Sequence, residues 1–191
     1  YKKLLLSKGV QWVEAAESIE STTFSILNQF PNPSLSEDKF VGLVIGDVQS
    51  GNTAHFTGIL ARAIDKGYNF VIVLSGIYNN LRSQTQDRIT GELLENSFLE
   101  QQDVNRFISL TDTGEFIGNA GLTPFLVDNF SSIAMAVTKK NPTSLRAFRS
   151  WLKSLPQERL ESLKLLIIDD EADFATLNTT NPNEPNSTTI N

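Results

Sequence analysis

Five short apolar runs alternate with helical segments along this chain, and that alternation restricts its fold more than any other feature. The runs occupy residues 40–45, 70–74, 107–110, 132–137 and 163–168. Helical composition falls between them, over residues 53–66, 79–89 and 144–152. In the first of these, Phe56, Ile59, Leu60, Ala63 and Ile64 share an apolar face, and Gly67 is placed to stop it. Apolar runs of this length between helices predict a mostly parallel sheet covered on both faces, a three-layer α/β sandwich. Ahead of it, Val10, Val13, Ala16 and Ile19, then Phe24, Leu27 and Phe30, recur at helical spacing until Pro31 and Pro33 end the pattern. The expected organisation is a helical extension and linker over residues 1–38 and an α/β lobe over 39–175. A flexible Asn-, Thr- and Pro-rich tail over 176–191 would lead to parts beyond this sequence.

Between the first run and the first long helix stands G-D-V-Q-S-G-N-T: Gly46, Asp47, Val48, Gln49, Ser50, Gly51, Asn52 and Thr53. The phosphate-binding (Walker A) pattern is G-x-x-x-x-G-K-[ST], matched here everywhere except at Asn52, where the pattern has lysine. The glycines and intervening backbone amides can wrap a phosphate at the positive end of the following helix. Asparagine cannot supply the lysine's charge to the outer phosphates. A charge-assisted hydrogen bond to phosphate is worth about 1.5–3 kcal/mol, so binding should weaken about ten- to a hundredfold. Hydrolysis should suffer more, because a donor aimed at developing charge is worth about 2.7–4 kcal/mol in the transition state. A plain strand-to-helix glycine turn is the alternative reading of the loop.

The last run reads L-L-I-I-D-D-E-A-D through Asp173, an apolar strand ending in adjacent carboxylates (the Walker B form). The carboxyl end of a parallel strand opens on the ligand crevice. There Asp170 can hold Mg²⁺ through water, and Glu171 can polarise an attacking water. The alternative is an acidic cap, with Asp169 or Asp170 satisfying free amides of a following helix.

Composition narrows the classes further. With 191 residues, 40% hydrophobic and 20% charged, the chain has the make-up of a globular protein with one sizeable core. No apolar run approaches the roughly 18–20 residues that cross a bilayer, so no membrane partner is expected. The absence of cysteine excludes disulfides, cysteine-ligated metals and thiol nucleophiles within these residues, and is compatible with a cytoplasmic setting. A net charge of −6 is the opposite of a dedicated nucleic-acid-binding domain's footprint, so any nucleic acid must meet a local basic groove or other parts of a longer protein.

Asp170 to Asp173 spells DEAD, the motif of superfamily-two helicases, and the wider wording resembles the Z-one domain family. Members of that family are described as endonucleases of restriction or phage-defence type with a helicase-like P-loop ATPase core. The matching stretches are G-L-V-I-G-D-V-Q-S-G-N-T from Gly42 and V-I-V-L-S-G-I-Y-N-N-L-R-S-Q-T from Val71. V-T-K-K-N from Val137, I-I-D-D-E-A-D from Ile167 and the ending T-T-I-N also match, so the resemblance covers residues 36–191. It implies a RecA-like lobe that binds ATP and Mg²⁺ and works on nucleic acid, most simply DNA, together with a second RecA-like lobe. Residue by residue, it implies that Gly46 to Gly51 cradle the phosphates, that Thr53 and Asp170 hold Mg²⁺, and that Glu171 acts on the water. Leu81, Arg82 and Gln84 would lie where related helicases contact a nucleic-acid backbone. Asn52 departs from the pattern and puts hydrolysis in question, leaving a degenerate nucleotide-binding or scaffold module as the alternative function.

Other candidates are weaker. Lys139 and Lys140, just past a strand end, suit either the crevice or a nucleic-acid backbone, or are simply solvated turn residues. Arg82 and Arg88 on one helix could grip phosphate. His55, the sole histidine, suits a helix surface; Trp12 and Trp151 suit packing. No nuclease motif and no Ser-His-Asp set can be assembled.

Overall fold

A computed structural model describes residues 1–35, 39–45, 52–94, 107–111, 132–170 and 172, the side chains of 52, 53 and 94 excepted. Among them are helices α1 (Lys2–Ser7), α2 (Val13–Gln29), α3 (Asn52–Asp65), α4 (Asn79–Ile89), α5 (Pro142–Ser154) and α6 (Gln157–Ser162). The strands are β1 (Phe70–Ser75), β2 (Phe107–Ser109), β3 (Ile133–Thr138) and β4 (Leu165–Asp170). They form one sheet in the order β2-β3-β1-β4, and every neighbouring pair is parallel. The α/β expectation therefore stands, with helices on both faces.

Local chemistry explains most boundaries. Gly67, at φ +106°, turns α3 toward β1 in a conformation that a side chain resists. The Asn141 side chain accepts the Ser144 amide at 2.8 Å and Pro142 opens the helix, a complete amino-terminal signal for α5. Lys66 donates to the carbonyls of Leu27 and Phe30 at 2.6 and 2.7 Å, neutralising the carboxyl end of α2. Asn69 fastens the start of β1 to the start of β4: its oxygen accepts the Lys164 amide at 2.7 Å, and its nitrogen donates to the Ser162 carbonyl.

Alternate residues of the strands feed two separate cores. On one face Val71, Val73, Met135, Val137 and Leu166 pack beneath Phe56, Ile59, Leu60 and Ala63 of α3 and Ile89 of α4. On the other, Phe70, Ile72, Ala134 and Ala136 pack against Phe148 and Trp151 of α5. Phe70 stacks on Phe148 at 5.6 Å between ring centroids, and Trp151 meets Phe148 edge-on at 5.8 Å. The packing role expected of Trp151 is thus observed, while Trp12 lies partly buried near Leu5, Ala16 and Ile19. The amino-terminal helices cover α3: Ala16, Ile19, Thr23 and Leu27 form the buried stripe of α2. Phe24, expected on that stripe, is exposed beneath the Arg62 guanidinium. No described helix is long and apolar enough to cross a membrane.

Three differences from the sequence reading matter. Residues 40–45 form no strand: Val41, Leu43, Val44 and Ile45 are exposed, and Phe40 leans on Phe30 at 5.4 Å. Apolar composition supplies strand propensity, but a strand also needs a neighbour to pair with. Helix α6, with Arg159 buried on it, carries no strong periodic signal at six residues. The shallow apolar content of α4 hides that it is a core-covering element, because Arg82 and Gln86 are among its buried residues.

Candidate functional site at the carboxyl end of the sheet

The site is assembled by where the parallel strands stop. Helix α3 hands over to β1 through only residues 66–69, and its 14 residues span about 21 Å. Its amino end therefore lies toward the carboxyl ends of the strands, where Ser75, Thr138 and Asp170 stand. Asn52 is its first residue, so the G-D-V-Q-S-G sequence directly precedes the start of a helix. Gly46, Asp47, Val48, Gln49, Ser50 and Gly51 themselves, with Glu171 and the 176–191 tail, lie outside the described residues, and of Asn52 and Thr53 only the backbone is described.

Register separates the two adjacent aspartates. Leu74 lies opposite Asp169, and Ser75 lies opposite Asp170. Because side chains alternate along a strand, Asp170 shares the α3 face with Val73, Ser75 and Ile168, whereas Asp169 belongs to the α5 face. Asp169 accepts an ion pair from Lys140, whose side chain is only 4% exposed. Lys140 reaches it from the end of β3, across β1, and its amide donates to the Gly76 carbonyl at 2.8 Å. Gly76 adopts φ +54°, which lets the chain leave β1 there.

The carboxylates thus have different surroundings: one is tied to a buried ammonium, the other lies on the α3 face of the sheet. Ser75 adds a polar group that the sequence reading missed. Its hydroxyl is buried beside Asp170 and has no hydrogen-bond partner among the described residues. The only signal for it was its place, one residue before the glycine that ends β1.

The basic candidates divide differently. Lys140 is engaged with Asp169 rather than solvated. Lys139 donates to the Asn79 side chain at 2.6 Å, linking the end of β3 to the start of α4. Arg82 is buried, and its guanidinium donates to the Thr111 carbonyl and the Ser83 hydroxyl, both at 3.3 Å. It extends a polar seam in which Thr111 donates to Gln86 at 2.8 Å and accepts the Val137 amide at 2.8 Å. That seam fastens α4 to β3 and gives Arg82 an internal task. Gln84 is exposed on the same helix, as is Arg88, and His55 is half-buried on α3.

Among the described residues no three His, Asp or Glu side chains converge as a metal cage. A hydrated Mg²⁺ needs less, because it keeps several waters and takes one or two protein ligands plus substrate phosphates. Asp170 at the strand end suits that donor set. No protein-family model, curated protein or solved structure matches this chain.

Proposed function

We propose that this chain is the ATP-binding lobe of a helicase-like, nucleic-acid-dependent ATPase of the Z-one type, slowed in hydrolysis by Asn52. The observation that carries the reading is the coincidence, at one end of a parallel sheet, of three features. These are the amino terminus of α3 directly after G-D-V-Q-S-G, the Asp170 carboxylate on the α3 face, and the buried Ser75 hydroxyl beside it. Crevices outside the carboxyl ends of parallel strands are where such folds bind ligands.

In this reading the backbone from Gly46 to Gly51 holds the phosphates, Thr53 and Asp170 hold Mg²⁺, and Glu171 orients the attacking water. Bound Mg²⁺ would neutralise charge on the outer phosphates. Lys140 fixes Asp169, and through the shared backbone it fixes where Asp170 sits. Asn52 leaves the outer phosphates without their usual cation. Gln84 and Lys139 remain the nucleic-acid candidates nearest the surface, with DNA gripped chiefly by other parts of the full-length protein and by a second lobe.

Asn52 also favours a second reading, a nucleotide-binding or scaffold module that has lost catalysis. Steady-state ATP hydrolysis by the full-length protein, with and without Asn52→Lys, separates the two. The ATPase reading predicts that lysine raises the rate at least a hundredfold in the presence of nucleic acid. A rate that stays at background despite tight nucleotide binding favours the scaffold, and fast hydrolysis by the unaltered chain alone overturns the role given to Asn52.

A further inference from the structure

We infer that the outer face of α5 is a docking surface for an acidic helix of a partner protein. The sequence already sets this segment apart. Between Asp128 and Glu158 the chain carries no acidic residue, although its net charge is −6. The same stretch holds the cations Lys139, Lys140, Arg146, Arg149 and Lys153. Two of them have internal partners: Lys140 is buried against Asp169, and Lys139 is bonded to Asn79. The other three are exposed, and none of them meets a carboxylate or another acceptor among the described residues. At about 3.6 residues per turn, Arg146, Arg149 and Lys153 form one stripe directly opposite Ser144, Phe148 and Trp151, the buried face of α5. The helix beneath is held firmly. Phe148 and Trp151 pack against Phe70, and Asn141 caps the first turn. The stripe is therefore preorganised, and docking need not order the backbone that carries it.

The surroundings of the stripe select among anionic partners. No large apolar side chain of α5 is exposed, so nothing there inserts into a lipid surface. The stripe covers roughly 10 Å, seven residues at about 1.5 Å each. A nucleic-acid backbone continues past that length in both directions, over a molecule whose net charge repels it. Glu158 and Glu161, exposed on α6, follow soon after the stripe and add to that repulsion. An acidic helix fits both the length and the ending. Carboxylates at i, i+3 and i+7 repeat the spacing of the three cations on one helix face. Each guanidinium can take a carboxylate through two parallel hydrogen bonds. The surface lies on the Phe70/Ile72 side of the sheet, away from α3, so the inference holds whether or not the chain binds nucleotide.

The test uses a fluorescein-labelled synthetic helix of about 15 residues with glutamates at i, i+3 and i+7. It is titrated with the chain at about 50 mM salt, without ATP or Mg²⁺, and read by anisotropy. A second peptide has the same composition with its glutamates spread around the helix, and a labelled DNA duplex of about 12 base pairs is the nucleic-acid probe. The one-face peptide should bind about tenfold more tightly than the spread one, as three exposed ion pairs provide together. That advantage should vanish in the triple variant Arg146→Gln, Arg149→Gln and Lys153→Gln, whose circular dichroism should match the parent's. The reversed variant Arg146→Glu, Arg149→Glu and Lys153→Glu should instead bind the matching lysine peptide. Tighter binding of the duplex through these residues would assign the stripe to nucleic acid and overturn the proposal. No binding by either peptide, equal binding of the two, or binding that survives the triple variant would overturn it equally.

Discussion

Lys140 and Asp169 show how one pair of side chains can set the geometry of a strand end. The ammonium is almost wholly buried and the carboxylate about one-third exposed, so the pair is neither a surface contact nor a fully dry one. Removing one partner of a buried pair costs roughly 3–5 kcal/mol because the other charge is stranded. Asp169's remaining exposure places Lys140→Met near or below the low end of that range, measurable as a lower urea midpoint. The double change Lys140→Met with Asp169→Leu should recover most of the loss, since a matched apolar pair leaves no orphan charge. If the single and double variants are equally destabilised, the pair is not what orders the strand end.

Tyr1 supplies the pH-dependent contact. Burial first, and then its hydrogen bond to Glu92 at 2.8 Å, hold its phenol well above the ordinary value of 10. Folding therefore favours the neutral phenol. The stabilisation is intact below pH 10, the unfolded value, and drains away as pH rises toward the folded one. Tyr1→Phe should cost about 0.5–1.5 kcal/mol at pH 8 and flatten the decline above pH 10, as read from urea midpoints across that window. A variant whose alkaline decline matches the parent's would remove Tyr1 from the account.

Among the elements, the contact of α2 with α3 depends on a missing side chain. A Cβ on Gly58 would lie 3.0 Å from the Thr23 methyl and 3.1 Å from an Ile19 methyl. Both belong to β-branched residues with little rotamer freedom in a helix. Gly58→Ala gains nearly 1 kcal/mol of helix propensity, but overpacking costs about 1–3 kcal/mol, so a net loss of stability is expected. A thermal midpoint raised by that substitution would show that the helices can part freely. On the opposite face, Phe148→Ala should cost about 3–5 kcal/mol, because the ring is buried between Phe70 and Trp151.

Elements with a local cause were legible before the structure. Helix α4 begins and ends where its composition places it, and Gly67 and Pro31 stop the helices that they were expected to stop. What escaped depends on residues far apart in sequence. Residues 40–45 read as a strand from composition, yet they pair with no described strand, and a pairing partner is what composition cannot supply. Arg82 read as a phosphate contact because a charged residue is ordinarily exposed; its burial follows from Thr111, which no helical pattern reveals. The different surroundings of Asp169 and Asp170 follow from register with β1, which adjacency in sequence cannot disclose.

For the molecule as a whole, a parallel sheet with two cores provides a rigid frame whose carboxyl end gathers Ser75, Lys140, Asp169, Asp170 and the start of α3. We propose that end as the nucleotide site, with Asn52 as its weak point. The most direct measurement is titration of ATP with Mg²⁺ into this chain and into its Asn52→Lys variant, read by calorimetry. The account predicts weak binding by the parent and binding about ten- to a hundredfold tighter with lysine, as one charge-assisted phosphate contact provides. Binding that lysine leaves unchanged, or no binding by either chain, would contradict it.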